Sequence, residues 1–140
     1  MSGAIEIQAA LRARLRVEAE VPTDLTKLSN AKFTPPAEGF WYKASFLPGE
    51  PYAAGIGSAA RNRYVGIFQI DVYGQTLKGT KLTNDEGERI RQCFKRGDSF
   101  TYSGVVVRVT KSQAYEAAEQ DEPAYFRHIV KVTWMSDVEN

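Results

Sequence analysis

Two aromatic-rich segments of strict alternation, Phe40–Leu47 and Tyr64–Tyr73, constrain this chain more than any other feature. In the first, Phe40, Tyr42, Ala44 and Phe46 fall on one side and Trp41, Lys43, Ser45 and Leu47 on the other. In the second, Gly66, Phe68, Ile70 and Val72 oppose Gln69, Asp71 and Tyr73. That period of two specifies strands of an antiparallel sheet with one covered face and one wetter face. Between the strands runs a long connection, Pro48–Arg63, built largely from Gly, Ala and Ser. Compact domains rarely carry a structureless loop of that length unless it is a working surface or disordered. This one has little bulk to pack against itself, yet it holds Tyr52, Ile56, Arg61 and Arg63, which are suited to binding a partner. Gly55 and Gly57 give its backbone freedom. A sturdy sheet holding out such a loop points to an assembly component.

The remaining segments fit around that sheet. Residues from Ser2 to about Ala19 read as a helix capped by Ser2, with Ile7, Leu11 and Leu15 on one side. Arg12, Arg14 and Arg16 splay around it as a solvated surface. A short strand is expected around Ala31–Thr34, stopped by Pro35 and Pro36. Thr83 to Glu86 has the pattern of a capping box, placing Asp85 and Glu86 in a first helical turn. Ile90, Cys93 and Phe94 form the buried stripe of that helix, and Gly97 its left-handed stop.

Strands follow at Ser99–Tyr102 and Val105–Lys111, hinged at Ser103 and Gly104. Ser112–Pro123 reads as a polar, acidic connection with a helical turn at its Ala-rich centre. The last strand, about Ala124–Met135, sets Phe126, His128, Val130, Val132 and Trp134 against Arg127, Ile129, Lys131 and Thr133. The order predicts an α+β fold: a mostly antiparallel β-sheet, two main helices packed on one face, and a long exposed loop between the second and third strands. One domain spanning residues 1–140 is expected.

The residues give little chemistry. One cysteine excludes an internal disulfide, and one cysteine with one histidine leaves a zinc site short of ligands. Cys93 reads as a packed thiol and His128 as a structural imidazole. The spacing Gly55-x-Gly57-x-x-Ala60 mimics a dinucleotide fingerprint, but prolines precede it and a strand follows, where a strand and then a helix are required. No phosphate-binding loop and no Gly-x-Ser-x-Gly turn occurs. No enzymatic activity, cofactor or metal is therefore expected.

No apolar run approaches membrane-spanning length, and an acidic residue interrupts the first residues, so all 140 read as mature protein without membrane association. A formal net charge of +1 argues against a dedicated nucleic-acid binder. A different reading is a small single-strand-binding module using Arg61, Arg63, Lys78 and Lys81 beside Tyr64 and Tyr73. Surface charge beside sheet aromatics is the plainer account.

The run from Phe33 to Tyr42, then Phe46 to Pro51, then Gly66 to Gly74 resembles the tail terminator, or tail completion, proteins of long-tailed bacteriophages. The N-terminal helix, the Pro-Pro turn, the Gly/Ala loop and the closing strand ending near Trp134 extend the resemblance over most of the chain. It implies a non-enzymatic virion subunit at the head-proximal end of the tail, assembled in the host cytoplasm. Such a subunit forms a ring, expected to be a hexamer, that stops polymerisation of the major tail tube protein and presents a surface to the head-completion protein. The expected contact residues are Tyr52, Gly55, Ile56, Gly57, Arg61 and Arg63. Another head–tail connector, a stopper or adaptor, is the alternative within the same class.

Overall fold

Alternation in the long segments is realised as hydrogen-bonded pairing. The computed structural model describes residues 3–28, 32–75, 80–117, 120 and 125–140. In chain order the elements are α1 (Gly3–Val17), β1 (Thr26–Lys27), β2 (Trp41–Pro48), β3 (Tyr52–Ala53), β4 (Asn62–Gln75), α2 (Lys81–Arg91), β5 (Ser99–Tyr102), β6 (Val105–Glu116) and β7 (Tyr125–Val138). They form a seven-stranded sheet of order β1-β2-β4-β7-β6-β5, with β3 added to β4. Only the short β1 pairs in parallel; all other neighbours are antiparallel. This is the expected α+β architecture.

Register decides which side chains meet. Phe68 lies opposite Val132, and Ile70 opposite Val130, so β4 and β7 present one continuous apolar face. β6 adds Val105, Val107 and Val109 to it. α1 covers this face with Ile7, Leu11 and Leu15, while Ile90 and Phe94 cover it from α2 and the turn after it. Both helices thus pack on one side. Among the described residues no helix covers the other side, but the segment around Phe33 and Pro36 covers one end. There Phe33 packs on Trp41 at 5.3 Å, Trp41 stacks on Tyr73 at 3.9 Å, and the Tyr125 hydroxyl donates to the Pro36 carbonyl at 3.2 Å.

Four local expectations give way. Thr83 does not cap α2: the N-cap is Thr80, which makes no side-chain capping bond, and Thr83 sits buried inside the helix against Gly74. Asp85 instead pairs with Lys81 at 2.7 Å. Glu86 turns inward, accepting a hydrogen bond from Tyr42 at 2.5 Å and the fork of Arg89, whose other nitrogen donates to the Ala19 carbonyl. Burial pushes the Glu86 carboxyl up, but these donors more than offset it and hold it below its ordinary value.

The short strand near the prolines is at Thr26–Lys27, and residues 32–36 form the aromatic cover described above; Ala31 lies outside the described residues. The helical turn expected within Ser112–Pro123 is replaced, up to Glu116, by an extension of β6. Ser112, Ala114 and Glu116 find ladder partners in Val132, Val130 and His128, because β7 is long enough to carry them. A polar composition concealed the alternation. Ser2 and the acidic residues Glu119, Asp121 and Glu122 lie outside the described residues. Gly97 does take φ 93°, but α2 already ends at Arg91 with Gln92 as its C-cap, so Gly97 shapes the Lys95–Asp98 turn before β5 and is not the helix stop.

Candidate interaction surface

The connection between β2 and β4 is long and exposed, as its composition requires, but its base is a β-hairpin. Tyr52 pairs with Arg63 and Ala53 with Asn62. The Ala54 amide donates to the Arg61 carbonyl at 2.8 Å, and the Ala60 amide to the Gly57 carbonyl at 3.2 Å. Gly57 closes the tip with φ 92°, a conformation that a Cβ would oppose; Gly55 does not need it.

Side chains from the last strand brace the hairpin from below. Arg63 grips Asp137 with two nitrogens at 2.8 and 3.0 Å. Asn140 donates to the Ser58 carbonyl at 2.9 Å and accepts from Asn62 at 3.1 Å. The Arg63 guanidinium holds the Asp137 carboxyl below the usual carboxylate range, and Asp137 in turn raises Arg63. At the far end Ile56 is 102% exposed, and Tyr52 is about half exposed at 53%.

The six residues singled out from sequence therefore occupy one hairpin with different roles. Tyr52 and Ile56 face solvent, Gly55 and Gly57 make the tip, Arg61 is exposed at the base, and Arg63 is engaged internally. Asp137 and Asn140 were not anticipated. Their only sequence signal is the register that puts Arg63 opposite Asp137, which is not readable before β4 and β7 are paired.

The second face of the sheet is a further surface. Lys43, Arg63, Arg108, Lys111, Arg127 and Lys131 occupy its outward register positions, against two acids, Asp71 and Asp137. Those acids are paired, Asp71 with Arg127 at 3.4 Å and Asp137 with Arg63. By contrast, the aromatic–arginine patch considered from sequence is not brought together. Tyr64 contacts the space beside Gly3 on the helix side, whereas Tyr73 stacks on Trp41 on the other side. Nine residues apart on one strand, they must point opposite ways. Lys81 is occupied by Asp85, and Lys78 lies outside the described residues.

His128 and Cys93 sit in packing roles. The imidazole is 5% exposed beneath Gly87 of α2, and burial pushes it below its ordinary value despite Glu116 and Glu88 nearby. The Cys93 thiol is half-buried and lies 3.6 Å from the carbonyls of Glu18 and Arg89. Among the described residues no group of three or more His, Cys, Asp or Glu side chains is arranged to hold a metal ion. Among them, too, no helix is long and apolar enough to cross a membrane.

The described fold is thus a two-faced sheet with an outward-held, internally braced hairpin. A profile of the family described as phage tail terminator protein matches residues 6–134, nearly the whole chain. This chain belongs to the phage tail terminator family and is a structural component of the phage tail. A solved chain whose name states no function is similar at 25% sequence identity and TM-score 0.70, covering 100% of this chain and 97% of that chain. Among curated proteins none matches this sequence.

Proposed function

We propose that this chain, acting as one domain, caps the head-proximal end of the tail tube as a ring of six copies. The ring stops polymerisation of the major tail tube protein and forms the surface to which the head-completion protein joins. Assembly takes place in the host cytoplasm, without a catalytic step. The observation that carries this reading is the hairpin: four backbone or side-chain restraints at its base hold an isoleucine wholly in water. Turn chemistry favours Gly, Asn, Asp and Ser at such a tip, so a large aliphatic side chain there, with the half-exposed Tyr52 on the same hairpin, is available to a partner.

A closed ring requires a head-to-tail interface in which one patch meets a different patch on the next copy. The hairpin, with Tyr52, Gly55, Ile56, Gly57, Arg61 and Arg63, supplies one patch. Electron microscopy of particles made without this chain tests the reading. Overlong, headless tails are the expected outcome. DNA-leaking heads with no tails attached would identify a stopper or adaptor instead. Normal tails would remove the protein from the junction altogether.

A further inference from the structure

Resting on that ring reading, the second patch can be sought on the same chain. At the C-terminal end of α1 an apolar pocket of about 150 Å³ opens between Leu15, Val21, Leu28 and Ala44, with Arg12 and Arg16 beside it. Thr23 and Thr26 complete the rim of this open pocket, whose aliphatic floor is of a size to accept a small apolar group. Neither arginine has an ion pair among the described residues.

The hairpin is placed so that it cannot reach this pocket in its own chain. Gly3, at the other end of α1, lies against Tyr64 and Val138, next to the hairpin base. Leu15 is twelve residues further along the helix, a rise of about 18 Å. The tip itself is fully solvated. At the base of the hairpin stands an acid: Glu139 is exposed, without an ion pair among the described residues, in a recess that it shares with Gly3, Glu6 and Arg61. An unburied aliphatic group at the hairpin tip, with a carboxylate at the hairpin base, thus faces outward at one end. A preformed aliphatic pocket flanked by two guanidiniums opens at the other. An exposed apolar residue complementary to a pocket elsewhere on the same molecule makes a head-to-tail contact, which closes into a ring when the rotation allows.

We propose that Ile56 of one copy seats in the Leu15–Val21–Leu28–Ala44 pocket of the next copy, with Glu139 facing Arg12 and Arg16. Thr23 also lines the pocket and is exposed, so it offers a reporter position. The full chain carrying Cys93→Ser, Ile56→Cys and Thr23→Cys, treated with a short bismaleimide, should yield a ladder of covalent multimers ending at the copy number of the ring. Each single-cysteine variant should stop at a dimer. Rings visible by electron microscopy without a ladder overturn the inference and leave the ring reading intact. So does capture of position 56 by a tube or head component in place of a second copy.

Two further variants use no cross-linker. Ile56→Asp should leave thermal melting unchanged, because the side chain touches nothing, yet weaken assembly by about tenfold or more. Arg16→Glu should weaken assembly, and Glu139→Arg added to it should restore it; unchanged assembly in Ile56→Asp refutes the seating. A wild-type chain that forms no ring, in solution or on tail ends, removes the ring reading first and this inference with it.

Discussion

The two faces of the sheet are made by the same strands, yet they obey different rules. Toward the helices, Phe68, Ile70, Val130 and Val132 are fully buried and meet one another across β4 and β7. On the opposite face, their immediate neighbours Gln69, Asp71, Ile129 and Lys131 mix polar, charged and apolar groups, with Asp71 and Ile129 themselves covered. Adjacent residues therefore belong to different systems, one packed under the helices and one turned to the helix-free face. The hairpin continues this division beyond the sheet, with its base tied into β7 and its tip free.

The contrast can be broken first where it is steepest. Phe68→Ala removes a side chain with 0% exposure and should cost about 3–5 kcal/mol in urea unfolding. Gln69→Ala, one residue on, deletes only the bond it donates to the buried Asp71 carboxylate at 2.8 Å and should cost less, about 1–2 kcal/mol. Equal losses at both positions would abolish the distinction between the faces.

Next in size is Gly66→Ala. A Cβ there would lie 2.6 Å from both the Leu47 carbonyl oxygen and a Trp134 ring carbon, so crowding should cost about 1–3 kcal/mol. Because the Leu47 atom is backbone, it has little freedom to yield. An unaltered melting temperature would mean that β2 and β4 shift apart easily.

Tyr42→Phe is a smaller test, directed at the polar clamp under the helix face. It deletes the bond to Glu86 and should cost about 1 kcal/mol, with a further loss if the Glu86 carboxylate is left half-satisfied. A neutral Tyr42→Phe would show that the Arg89 fork alone holds Glu86.

The smallest effect is expected from acid. Burial keeps His128 below the ordinary imidazole value of 6.5, so the unfolded chain binds this proton more readily than the folded one. Stability is complete above that value and falls as the pH drops below it, by at most about 1.4 kcal/mol per pH unit. Replacing His128 with Leu should flatten the curve between about pH 6.5 and 5. Glu88, which Arg91 holds at about 2, acts only below its ordinary value of 4.5 and leaves that window clear. A slope that survives His128→Leu assigns the titration to other groups.

Much of this architecture was legible because alternation is a local signal. The side assignments of β2, β4 and β7 follow directly from Tyr42 against Lys43, Phe68 against Gln69 and Val130 against Lys131. What escaped depends on distant partners. Glu86 has the spacing of a capping residue, but Tyr42 and Arg89 compete for it in three dimensions and win. The extension of β6 through Glu116 depends on the length of β7, not on its own polar residues. For the hairpin, composition located the surface and named Ile56 and Tyr52. The brace through Asp137 and Asn140 spans more than seventy positions and required the register.

The separation of charge across the sheet has one more consequence. A molecule with a formal net charge of only +1 exerts little overall pull on an approaching partner. Because the helix-free face carries more cations than acids, however, its field is directional: it is turned before it is drawn in. Orientation, not attraction, is what added salt would weaken, slowing productive encounters while the folded subunit itself stays indifferent.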